Sequence, residues 1–138
     1  MENTGKSALG LDGNVAALLV YIIWVIALIS VIIEKENKFV RFHAIQALLY
    51  QAAFIVVFIV LAILQVFLTI IFGVAAAASN NAAGGAIGMI FSLLSGLIWL
   101  VVPLLALVGI ILCAVKAYQG QMYKLPMIGD MAEKFTNK

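Results

Sequence analysis

From Phe42 to Val115 the chain carries no aspartate, glutamate, lysine or arginine, and His43 is the only basic side chain in that stretch. A second charge-free run extends from Gly13 to Ile33. Water-facing surfaces need charged and polar groups, so apolar stretches of about 18 residues or more without charge signal bilayer-spanning helices. Composition agrees. Hydrophobic residues make up 66% of the 138 and charged residues 10%, against roughly 45–50% and about 25% in soluble domains. These values exclude a soluble enzyme and a disordered tail. A net charge of +2 spread over eight basic residues also lacks the clustered basic face that binding to nucleic acid requires. The reading is an all-α, polytopic membrane protein in a single membrane domain over residues 1–138. The apolar run after Met1–Asp12 is too long for a signal-peptide core and no cleavage pattern follows it, so it is expected to be retained.

Three transmembrane helices are expected, at about 14–33, 42–72 and 88–117, the second and third long. Twenty residues at 1.5 Å each give roughly 30 Å, the thickness of the hydrocarbon core. The second should tilt, or keep Arg41, His43 and Gln46 at the headgroup level. Pro103 should kink the third. Residues 73–85, with their Asn and paired Gly, read as a flexible loop. A cytoplasmic tail covers 118–138, with Leu125, Ile128, Met131 and Phe135 at helical spacing and Pro126 suited to a first helical position. It should be a short amphipathic interfacial helix. Lys35, Lys38 and Arg41 in the first loop, and Lys116, Lys124, Lys134 and Lys138 at the end, hold seven of the eight basic residues. The positive-inside rule then puts the amino terminus outside and the carboxy terminus in the cytoplasm of a cell (inner) membrane protein.

Three constellations stand out. Gly84, Gly88, Ser92 and Gly96 recur every fourth residue, a small-xxx-small stripe suited to close helix packing within the chain or between copies. His43, Gln46 and Tyr50 share one face of the second span, with Gln51 beside them and Gln65 and Thr69 deeper. Such groups must pair between helices or line water. Arg41, His43, Gln46 and Lys124 form an expected cytoplasmic polar cluster, either a docking surface for the tail or a site for anionic headgroups. No catalytic, cofactor or metal set is expected. The lone Cys113 and His43 lack an orienting acid, and no HExxH, CxxC or phosphate-cradling loop is present.

The string EKENKFVRFHAIQALL, preceded by GLDGNVAALLVY and followed at the end by KAYQGQMYKLPMIGDMAEK, resembles the small prokaryotic membrane proteins grouped as domain of unknown function 4870. That family is similar, more distantly, to the chloroplast import component Tic-twenty. The resemblance implies a small helical membrane protein and no catalytic residues. The expected function is non-enzymatic, acting through helix packing as a homo-oligomer or as an accessory subunit. Its partners would be membrane lipids and other membrane-protein subunits. The alternatives are an oligomeric pore or translocation module, and a lipid-binding, membrane-organising protein.

Overall fold

The structure is a computed structural model and describes residues 5–79 and 81–137; Lys138, counted among the basic residues above, lies outside them. Its helices are α1 (Gly13–Ile22), α2 (Trp24–Ile33), α3 (Lys38–Ser79), α4 (Ala82–Tyr118) and α5 (Ile128–Thr136). The chain divides into two compact units, Met1–Ala53 with Leu107–Lys138, and Phe54–Ala106.

The helix boundaries have local causes. Asn37 caps α3, its Oδ1 accepting the Val40 N–H at 3.3 Å, and Asn81 caps α4 by accepting the Gly84 N–H at 3.0 Å. Both are the usual side-chain bond to the third helical N–H. At the other end of α4, Gly120 takes φ +74°. Gln121 N–H then donates to the Lys116 carbonyl at 2.9 Å and Gly120 N–H to Ala117 at 3.0 Å, the paired bonds of a Schellman stop. The helix runs through Pro103 without interruption. The loop expected over 73–85 is almost wholly helical, because its alanines are strong helix formers and only residues 80 and 81 separate α3 from α4. With 42 residues, α3 is roughly 63 Å long, about twice the hydrocarbon thickness.

The expected single helix over 14–33 is two helices. Ile23, at φ −119° and ψ 100°, interrupts them, although neither Pro nor Gly is near. A straight helix of that length would hold its ends about 30 Å apart. Instead the Ala8 N–H, just before α1, donates to Glu34 Oε2 at 2.7 Å, just after α2. The segment is a helical hairpin with both ends together. Its inward residues explain the fold-back. Ala16, Ala17 and Val20 of α1 and Ala27 of α2 join Phe39, Val40, Ala44 and Ala47 of α3 and Cys113, Ala114 and Ala117 of α4 in one core. The small side chains let four backbones approach, and no straight helix would place both arms against α3 and α4.

In the second unit α3 and α4 run antiparallel. Phe58 meets Trp99 with centroids 5.7 Å apart, and Phe72 stacks on Phe91 at 5.0 Å. Most of the large apolar residues here are exposed, as they must be where the solvent is lipid.

Candidate functional site

Two of the polar clusters involve the residues singled out on the second span, one in each unit. In the first, Tyr21, His43 and Gln46 meet in the core, His43 and Gln46 being wholly buried. Gln46 Nε2 donates to the Tyr21 hydroxyl at 2.8 Å, and that hydroxyl lies 3.0 Å from His43 Nδ1. Tyr21 and Nδ1 share one hydrogen bond, whose direction is set by the imidazole tautomer. Phe39, Phe42 and Tyr21 pack around the imidazole with T-shaped geometry, presenting ring edges and faces that fix its plane.

Gln46 also holds the carboxy-terminal segment. Its Nε2 donates to the Tyr123 carbonyl at 2.9 Å, and its Oε1 accepts the Leu125 N–H at 3.3 Å. One amide thus grips the backbone on both sides of Lys124. The segment continues into α5 through Met127, at φ +64°. The helix begins at Ile128, two residues later than Pro126 would have it. Its buried face is Gly129, Ala132 and Thr136. Met131 and Phe135, expected on a common apolar face with Leu125 and Ile128, point outward instead. The reason is steric. A Cβ on Gly129 would lie 2.7 Å from Lys124 Cβ and 3.1 Å from Gln46 Oε1, so only a small residue fits at this contact.

Of the expected cytoplasmic cluster, His43 and Gln46 come together. Arg41 is half-buried on the same helix, its Nε without a hydrogen-bond partner. The Lys124 side chain turns away to Glu133, at 2.7 Å. Tyr50 is half-buried, its hydroxyl occupying the space a Cβ on Gly109 would take. Gln51 is half-buried beside it.

In the second unit Gln65 Nε2 donates to Thr69 Oγ1 at 3.2 Å and to Ser95 Oγ on α4 at 3.1 Å. A groove of about 390 Å³ opens here, lined by Gln65, Thr69, Gly73, Gly88, Ser92 and Ser95 among others. The small-residue stripe divides. Gly84 is buried against Ser79 and the Ala76 carbonyl, and a Cβ on Gly88 would lie 3.7 Å from Ala76 Cβ, whereas a Cβ on Gly96 would meet nothing within 4 Å. Gly84 and Gly88 therefore serve the α3–α4 turn, and Ser92 and Gly96 remain on an open face. The sequence reading missed Tyr21, Ser95 and Gly109. Tyr21 and Ser95 are polar atoms in charge-free runs, which was the available signal. Gly109 gave none, since its role depends on which residue faces it.

The folded chain is thus an all-helical membrane protein with two helices long and apolar enough to cross a bilayer. It belongs to the Magnetosome magnetite crystal formation protein family, whose pattern it matches over residues 7–132. It is similar to two UPF0132 membrane proteins of Methanocaldococcus jannaschii. One is 32% identical over 133 residues, 96% of each chain; the other is 33% identical over 129 residues, 93% of this chain and 73% of the relative. A UPF0132 membrane protein of Archaeoglobus fulgidus is 30% identical over 125 residues, 88% of this chain and 92% of its own. No solved structure matches. The expected family resemblance is met as a small prokaryotic membrane protein family.

Proposed function

We propose that this chain is a non-enzymatic membrane scaffold whose copies associate within the bilayer through the groove of the second unit. The observation that carries the reading is the grouping of Gln65, Thr69, Ser92 and Ser95 on a surface bounded by exposed Leu, Ile and Phe. Gln65 already bonds Thr69 and Ser95, and the exposed Ser92 beside them adds a hydroxyl with which a helix of another copy can pair in hydrocarbon. The neighbouring Ser92 and open Gly96 let that helix come close. Membrane organisation of this kind also fits the family's link with crystal formation in magnetosomes.

The full chain in a mild detergent should therefore sediment as an oligomer. Gln65→Leu and Gly96→Leu should each weaken assembly by about 1–2 kcal/mol, the range for membrane interhelical contacts, and Leu104→Ala should not. A monomeric native protein, or variants that assemble like it, would remove this reading. Ion flux through reconstituted vesicles, abolished by Gln65→Leu, would replace it with a pore.

The sidedness we propose follows from the hairpin. Residues 5–8, the first loop and the carboxy-terminal segment share one end of the first unit, linked by Ala8–Glu34 and by Gln46–Tyr123. Residues 5–8 then lie on the same side as the carboxy-terminal segment, contrary to the arrangement expected from a single crossing at 14–33. Lys6 joins the other basic residues there, which makes that side cytoplasmic. In a Cys113→Ala background, cysteines at positions 8, 35 and 121 should react with a membrane-impermeant maleimide from one side only, and a cysteine at 81 from the other. Labelling of position 8 together with 81 would restore the three-crossing topology.

A further inference from the structure

Where the two ends of the α1–α2 hairpin meet, a cavity of about 470 Å³ opens, lined by Lys6, Ser7, Ile33, Glu34, Lys35 and Glu36 among its residues. Glu34 forms its structural part. It is 2% exposed, and its two oxygens accept the Ala8 N–H at 2.7 Å and the Asn37 N–H at 3.2 Å. Ser7 is 6% exposed and its hydroxyl has no hydrogen-bond partner. A buried hydroxyl without a partner costs free energy, so an occupant that accepts its proton is favoured. Lys6, Lys35 and Glu36 are exposed, and none of them takes part in an ion pair among the described residues. Two ammonium groups, the exposed Glu36 carboxylate and one hydroxyl donor therefore surround a space bordered by Ile33, with the second carboxylate, Glu34, buried and already accepting two backbone N–H groups. The outer face of α2 continues from that border as exposed Ile29 and Ile32, an apolar track for acyl chains.

We infer that this cavity binds the headgroup of a phospholipid that joins a phosphate to a primary ammonium, as in phosphatidylethanolamine. The phosphate accepts from Lys6, Lys35 and Ser7, and the ammonium donates to Glu36, so both signs of charge are matched. The acyl chains lie along Ile29 and Ile32. A headgroup with phosphate but no amine leaves Glu36 facing an anion. A trimethylated amine keeps its charge but has no N–H to donate.

The test is native mass spectrometry of the full chain in detergent, titrated with phosphatidylethanolamine, phosphatidylglycerol and phosphatidylcholine of identical acyl chains. Phosphatidylethanolamine should be retained several-fold more than either of the others. The double variant Lys6→Gln/Lys35→Gln should lose about ten-fold of that retention, and Glu36→Gln should remove the preference over phosphatidylglycerol. All three changes are on exposed side chains, and an unchanged unfolding temperature confirms that the fold is intact. Equal retention of the three lipids, or retention unaffected by the double variant, overturns the inference. Saturation by glycerophosphoethanolamine, with no preference among the lipids, would overturn the lipid source and assign the site to a soluble phosphoamine. None of these readouts depends on self-association.

Discussion

Replacing Gln46 with leucine should free the carboxy-terminal segment and destabilise the first unit by about 3 kcal/mol or more. Two backbone groups lose their partner at once, the Tyr123 carbonyl and the Leu125 N–H, and the Tyr21 hydroxyl keeps only its bond to His43. Each polar group left buried and unsatisfied costs about 1–3 kcal/mol. Leucine has about the right volume, so the loss reports hydrogen bonding and not a cavity. The expected signs are a lower unfolding temperature in detergent and faster tryptic cleavage after Lys124. Gln51→Leu, on the same helix but only half-buried, should move neither quantity far. Unchanged cleavage in Gln46→Leu would mean that the segment is held by α5 packing alone, through Ala132 against Phe42 and Ile45.

The second large effect is expected at Gly109. A Cβ there would overlap the Tyr50 hydroxyl and lie 3.0 Å from the ring carbon that bears it. The tyrosine ring cannot bend aside, so α3 and α4 must separate or Tyr50 must leave its rotamer. Overpacking of this kind costs about 1–3 kcal/mol. Gly109→Ala should therefore lower the unfolding temperature, and Tyr50→Phe in the same chain should recover part of the loss by removing the closest atom. Gly96→Ala is the contrast. With open space around it, the change should stay within about 1 kcal/mol and favour the helix, since alanine is the better helix former. Equal effects at the two glycines would show that backbone propensity dominates and contact does not.

The carboxy-terminal helix shows how far a periodic pattern reaches. The spacing of Ile128, Met131 and Phe135 correctly marks a helix. It says nothing of which face is buried, because in a membrane protein both lipid and core accept apolar residues. Size decided it. Gly129 and Ala132 permit contact at a distance that Met131 and Phe135 do not. The polar residues of α3 behave alike. Their cost in hydrocarbon was legible in the sequence, so partners for Gln46 and Gln65 were expected. The identity of those partners was not, since Tyr21, Ser95 and the Tyr123 backbone lie 25, 30 and 77 residues away in the chain.

The sequence by itself determined the class. Charge-free stretches of that length cannot fold in water. Where the two long helices meet was not legible there, because residues 73–85 read as a loop and are almost wholly helical. Only the tertiary structure decided the path of the first segment. Nothing local breaks the helix at Ile23. The break exists because two short arms bury Ala16, Ala17, Val20 and Ala27 against α3 and α4, and because Glu34 reaches back to Ala8. Those contacts join residues far apart in the chain, and a hydropathy pattern carries no record of them. They bring residues 5–8 beside the start of the first loop, in the same unit.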